Sequence, residues 1–446
     1  MKTFTALSAI LISHACAQNG VLDLTTLANY ANQPVPAYIT KDNTPNNNAI
    51  TDEGATLGRV LFYDKRLSRN NTISCSSCHQ QENAFGDAAT VSTGVAGTTG
   101  RHSMRLVNSR FSTEVRFFWD ERATSLENQT TRPIQDHVEM GFSGTNGDPA
   151  FAALVTKLSA IEEYRVLFYL MFGDAMITEA RVQLALSQFV RSIQSFDSKY
   201  DVGRATTADN QNFTNLTAAE NAGKTLFLNP PPQGGAGCAG CHRSPEFDID
   251  PNSRNNGVTT GFSGTDLTNT RSPSLRDLVK TNGATNGGMM HDASFATLDQ
   301  VIAHYNAIPA DNTNLDPRLR RPGGLQNLNL TVTQQSNIAA FLRTLSGNSI
   351  YTDPKWSSPF NAQNELSLIV LPASSMTFQP LGNGTAEVTN RGVAALSYKL
   401  ESSTDLTNWT QVTTLTADQT GFLRHAVPMN IQSKCFYRFS YTPPSL

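Results

Sequence analysis

The sequence predicts a mainly α chain in which two helical domains, each carrying one Cys-x-x-Cys-His motif, are followed by a small all-β sandwich. Three observations predict it. Cys75-Ser76-Ser77-Cys78-His79 and Cys238-Ala239-Gly240-Cys241-His242 each lie among segments with apolar residues at helical spacing. From about residue 364 the pattern changes to alternation with turn residues between the runs. At 446 residues the chain is too long for one ordinary core and suits two or three domains.

The first 17 residues read as a cleaved export signal. Lys2 supplies the positive charge, Phe4 to Ile12 the short apolar core, and Ala15-Cys16-Ala17 the small-residue cleavage site. Ser13 stands where a lipoprotein signal usually carries Leu. The mature chain is expected to begin near Gln18 and to be periplasmic or otherwise exported. No other stretch approaches the roughly 20 apolar residues of a membrane span, so no transmembrane segment is expected. Residues 18–50, rich in Asn, Thr and Pro, read as an extended lead-in over a surface.

The first helical domain is assigned to 51–205. Leu57, Val60, Leu61 and Leu67 form a short apolar pattern that leads into the first motif, and Gly94, Gly97 and Gly100 mark a loop after it. Arg101-His102-Ser103-Met104, Phe117-Phe118-Trp119-Asp120-Glu121-Arg122, Gln129, Pro133 and Glu139-Met140 crowd residues 101–142. A helix is predicted from about Thr178 to Tyr200, where Val182, Leu186, Phe189, Ile193 and Phe196 recur at helical spacing. In the second domain, 206–350, helices are predicted at about Ala218 to Leu228, around Leu298 to Tyr305, and around Ile338 to Leu342, ending near Gly347. In 364–446 the expected strands are Leu366 to Leu371, Leu396 to Ser402, Trp409 to Leu415 and Cys435 to Tyr441, as in a small appended sandwich.

The chemistry follows from the motifs. Two thiols spaced by two residues can form thioethers with porphyrin vinyl groups, and the histidine that follows can hold the iron, which is the pattern of covalent c-type haem. A redox dithiol or half a zinc site does not require His directly after the second Cys. Two copies therefore predict two covalently bound haems. Of six cysteines, four are used this way, Cys16 leaves with the signal and Cys435 stands alone, so no disulfide scaffold is expected. A net charge of -3 gives no footprint of nucleic-acid binding.

From about Gly54 to Gly347 the chain resembles the bacterial dihaem cytochrome c peroxidases and their relative, the methylamine dehydrogenase maturation enzyme. The resemblance rests on Leu61-Phe62-Tyr63-Asp64 before the first motif, Phe118-Trp119-Asp120 with Arg122-Ala123, Pro133-Ile134 with Val138-Glu139-Met140, and Met290-His291-Asp292. It implies a peroxidatic haem in the N-terminal domain and an electron-transfer haem in the C-terminal one. His79 and His242 become the proximal ligands, and Met290 the second axial ligand of the electron-transfer haem, with Met289 its rival. Glu139, Gln129 and Pro133 fall at the distal side of the peroxidatic haem, and Trp119 between the two haems as an electron relay. His291 is expected to be structural, and His137 and His304 have no visible partner.

Two departures matter. Where the peroxidases carry a histidine that caps the resting peroxidatic iron, this chain has Val95, so an open first haem is expected; His102 is the nearest substitute. His102 also stands where the family often has an Asn that helps to bind calcium, and an imidazole is a poor ligand for that cation. The expected function is a cytochrome c peroxidase that reduces hydrogen peroxide to water with electrons from a small periplasmic cytochrome c or copper protein. The alternatives are a maturation-type oxidase acting on a protein substrate and a non-enzymatic dihaem electron carrier. Dimers are common among proteins that resemble this one, and a homodimer falls within the expectation.

Overall fold

In the computed structural model, which describes residues 19–372, 376–429 and 434–444, the first helix is set by its cap. The Thr51 hydroxyl accepts the Gly54 N–H at 2.9 Å and starts α1 (Asp52–Tyr63). The expected signal, 1–17, lies outside the described residues. Helix α1 packs along α5 (Glu179–Ser192), and Leu57, Leu61, Val182, Leu186 and Phe189 are buried between and around them. Gly58 permits this approach, because a Cβ there would overlap the Ala185 carbonyl. The short α2 (Leu126–Thr130), then α3 (Phe151–Ser159) and α4 (Glu162–Phe172), complete this half; the sequence pattern had not marked them. Tyr164 of α4 donates to Asp64 at 2.6 Å, tying it to the end of α1.

The helix predicted to run to Tyr200 stops at Ser192. Asn108 replaces the helical bonds beyond it: its side chain donates to the Ser195 carbonyl at 3.1 Å and accepts the Ser195 N–H at 2.7 Å. Ser198 and Asp201 then form a reciprocal cap that starts a new helix, α6 (Lys199–Arg204).

The second half repeats the first in outline. Helix α7 (Ala218–Leu228) packs along α9 (Val332–Arg343), again through a glycine, since a Cβ on Gly223 would overlap the Asn337 carbonyl. Helix α8 (Leu298–Asn306) lies beside α9, and Phe227, Phe247 and Phe341 form a separate apolar cluster with Tyr200 and Leu298. Reciprocal caps by Thr217–Glu220, Thr297–Gln300 and Thr331–Gln334 start the three helices.

The lead-in is a strap across both halves. Its β1 (Val21–Asp23) pairs in parallel with β2 (Ser367–Ile369), so the strand expected at Leu366 to Leu371 joins the lead-in and neither of the later sheets. Gln33 donates to the Ser192 carbonyl at 2.9 Å, Thr40 N–H donates to Glu246 at 2.9 Å, and Lys41 pairs with Asp248. The C-terminal region is strand-rich. Strands β3 (Thr377–Pro380), β4 (Thr385–Arg391) and β7 (Phe422–Pro428) form one antiparallel sheet, and β5 (Ser397–Ser403), β6 (Thr410–Thr416) and β8 (Phe436–Tyr441) another. Buried Val388 and Val427 of the first sheet and Tyr398 and Leu400 of the second belong to one apolar cluster, which runs on into the first helical half. The region is thus packed onto the helices rather than merely appended. Among the described residues no helix is long and apolar enough to cross a membrane.

Candidate functional site

Each motif is wound into a tight turn. Cys78 N–H and His79 N–H donate to the Cys75 carbonyl at 3.2 and 3.0 Å, and Cys241 N–H donates to the Cys238 carbonyl at 3.1 Å. Cys75, Cys78 and His79 line a cavity of about 490 Å³, and Cys238, Cys241 and His242 line a second of about 600 Å³. Burial pushes the Cys75 and Cys238 thiols up to about 12 and those of Cys78 and Cys241 up to about 11. A redox dithiol needs the opposite shift, so this setting suits thiols that end as covalent attachments.

The donor set fits haem. Burial lowers the His79 and His242 imidazoles, the latter to about 4, so both present a neutral nitrogen. The His79 Nδ1 lies 3.2 Å from the Phe85 carbonyl, which only accepts; Nδ1 therefore carries the proton and Nε2 keeps its lone pair. The His242 Nδ1 is buried without a hydrogen-bond partner among the described residues. Arg105 and Arg271 line both cavities, are 8 % and 7 % exposed, and form no ion pair among the described residues. Burial lowers both guanidiniums to about 10. Buried cations without carboxylate partners match the acidic propionates of a haem.

Glu139, Gln129 and Pro133 line the first cavity together. Ser125 caps α2 by accepting the Asn128 N–H at 3.1 Å, and this places Gln129 on the helix. Asp136 accepts the N–H groups of Val138 and Glu139 at 2.8 and 3.0 Å, which folds the segment back. Burial raises the Glu139 carboxyl to about 7; Asp136 adds to the rise, and Arg122 opposes it. Arg122, stacked on Phe118 with its guanidinium carbon 3.7 Å from the ring centre, also lines a polar cleft of about 420 Å³. Pro133, Asp136 and Glu139 line that cleft too, so Glu139 stands where the two spaces meet.

The loop that holds Val95 is stitched to this segment, since Val95 N–H and Ala96 N–H donate to the Glu139 and Val138 carbonyls at 3.0 and 3.1 Å. The histidines that line the first cavity are His79 and His102. His102 is engaged elsewhere, with Nδ1 3.1 Å from the Thr90 carbonyl. Among the described residues no group of three or more His, Cys, Asp or Glu gathers as a metal site.

Trp119 lines both cavities and is 9 % exposed. Its indole N–H donates to the His102 carbonyl at 2.7 Å, and its own carbonyl accepts Thr270 N–H and Arg271 N–H at 2.8 and 3.0 Å. One residue is thereby pinned from both halves. His291 meets the Trp119 ring edge-on at 6.3 Å between centres. Met290 and Met289 both line the second cavity; Met289 is buried in the apolar cluster, and Met290 has φ of +72°. His137 pairs with Asp148 at 2.8 Å and His304 with the Asn256 carbonyl at 2.9 Å. Sequence reasoning missed Arg105, Arg271 and Asn256, for no local pattern distinguishes a buried Arg or Asn from an exposed one.

Residues 52–209 match the family model described as di-haem cytochrome c peroxidase. The chain is 31% identical over 318 residues to the methylamine utilization protein MauG of Methylophilus methylotrophus, covering 69% of this chain and 86% of that one. It is 27% identical over 317 residues to the cytochrome c551 peroxidase of Nitrosomonas europaea, covering 67% and 83%. The crystal structure of a MauG-like protein associated with microbial copper homeostasis superposes with a TM-score of 0.57 at 30% identity, covering 74% of this chain and 99% of that one.

Proposed function

The chain belongs to the di-haem cytochrome c peroxidase family, and from that premise we propose that it reduces hydrogen peroxide to water at its first centre, with electrons received at its second. Cys75, Cys78 and His79 would hold one haem in the domain 51–205, and Cys238, Cys241, His242 and Met290 the other in 206–350, with a β-sandwich from 364. When bound, the haems supply the electrons and the iron at which the O–O bond is cut.

Two electrons and two protons turn one peroxide into two waters. Glu139 accepts a proton from the oxygen of peroxide that faces His79 and returns it to the departing oxygen, which leaves as water. Gln129 donates a hydrogen bond without competing for that proton. Pro133 walls the space without offering an N–H of its own. Trp119, anchored from both halves, places a polarisable ring between the cavities. Arg105 and Arg271 supply fixed positive charge to both. The electron donor would be a small exported cytochrome c or copper protein. The observation that carries this reading is Glu139: a half-buried carboxyl raised to about 7, in one cavity with Gln129 and a Cys-x-x-Cys-His motif.

Rapid mixing of the fully reduced holoprotein with hydrogen peroxide tests it. Reoxidation of both centres with consumption of peroxide is expected; unreactive, fully ligated irons would make the protein an electron carrier. Val95 favours a second reading, a maturation-type oxidase, because the loop offers no histidine to close the first centre. Peroxide-treated protein would then oxidise an added protein in preference to a small electron donor. Met290, standing where the maturation branch has Tyr, favours the peroxidase.

A further inference from the structure

Asn256 Nδ2 lies 3.3 Å from the Met290 Sδ. The orientation of this amide is fixed by its other partners. Its Oδ1 accepts the Val258 N–H at 3.0 Å, which leaves the N–H₂ end to face the sulfur. Its carbonyl meets His304 Nε2 at 2.9 Å, so the Asn256 backbone is held by α8, which carries His304. Met290 is equally constrained. Its left-handed backbone, rare for a residue with a Cβ, is closed by Ala293 N–H donating to the Met290 carbonyl at 3.2 Å and by Met289 N–H donating to Phe295 at 2.8 Å. Both Asn256 and Met290 line the second cavity.

We propose that Asn256 is a positioning residue for the second centre, whose amide N–H holds the Met290 thioether toward the cavity and draws electron density from its sulfur, raising the reduction potential there. This rests on Met290 being the axial ligand. A thioether binds iron through one lone pair and keeps a second that can accept a hydrogen bond. A sulfur that shares this pair with a donor gives less charge to the ferric state, and the ferrous state gains in proportion. The bond also keeps Met290, rather than Met289, as the residue whose sulfur is presented.

The test uses the holoprotein and its Asn256→Leu variant, equilibrated with a redox dye of known potential while both centres are followed by absorption. The expected result is a fall of roughly two- to tenfold in the equilibrium constant for reducing the second centre, the size of one hydrogen bond, with the methionine-to-iron band retained and the first centre unchanged. An unchanged constant with that band intact overturns the proposal. Asn256→Ser, whose hydroxyl can still serve Val258 but is too short to reach the sulfur, reads the same constant if the Leu variant does not fold. Met290→Ala separates the two levels: if it leaves the second centre's spectrum unaltered, Met290 is not the ligand and the reading beneath the proposal fails instead.

Discussion

The two cavities start from the same Cys-x-x-Cys-His pattern and share a wall at Arg105, Trp119 and Arg271, but part company in what else lines them. The first cavity has a half-buried carboxyl, Glu139, where it meets a polar cleft; the second has the Met290 thioether, 3.3 Å from the Asn256 amide. The histidines differ as well. His79 gives its Nδ1 proton to the Phe85 carbonyl, whereas His242 has no such partner among the described residues. An imidazole bonded in this way is the more electron-rich donor and favours oxidised iron, while a bare imidazole opposite a thioether favours reduced iron. On the proposed reading the motif would decide where a haem is attached, and the surroundings what it is for.

The severest way to break the comparison is to delete one side of it. Cys75→Ala with Cys78→Ala is expected to remove covalent haem from the first centre alone and abolish peroxide reduction, while the Met290-type spectrum survives; Cys238→Ala with Cys241→Ala should leave the first centre without electron supply. Haem counted per chain after denaturation checks both. A subtler change keeps both haems. Glu139→Gln should slow peroxide turnover by about 10²- to 10⁴-fold and leave the spectrum of the second centre untouched, as stopped-flow absorption would show. Because Glu139 must be ionised to accept a proton and its carboxyl is raised to about 7, the wild-type rate should fall as pH drops through that value, and the fall should vanish in the Gln variant. Stability runs the other way. A carboxyl that holds its proton more tightly when folded costs nothing below the ordinary carboxylate range near about 4.3. It costs most above about 7, so the melting temperature gap between Glu139→Gln and wild type should widen as pH rises between them. The smallest effect is expected of Arg122→Gln. Removing a half-exposed cation that lowers the Glu139 carboxyl should move the midpoint of that pH profile upward by less than about one unit, without altering the second centre.

How much of this the sequence carried depends on the range of each interaction. The turn of Cys75, Cys78 and His79 was legible because its motif lies within five residues, and the α7, α8 and α9 helices because their caps and apolar stripes lie within one segment. Helix α4 was not, since Glu162, Glu163 and Arg165 confine its charge to the first turn and Val166–Phe172 is apolar almost all round, with no polar stripe along its length. The end of α5 was set by Asn108, 87 residues from Ser195. The bond from Asn256 to Met290 spans 34 residues and has no periodic signature. Residue types at Glu139, Gln129 and Trp119 could be carried over from a resemblance, but the burial that raises one carboxyl, and the bonds that pin the indole from both sides, exist only once the halves are together.

The pairing of Val21–Asp23 with Ser367–Ile369 imposes an order on assembly. The strand at Val21–Asp23 has no partner until some 340 residues more have been made, a loop whose closure entropy grows only slowly with its length. What is made among the first can therefore be paired only when nearly the whole chain is present, like a clasp whose two parts sit at far ends of one ribbon.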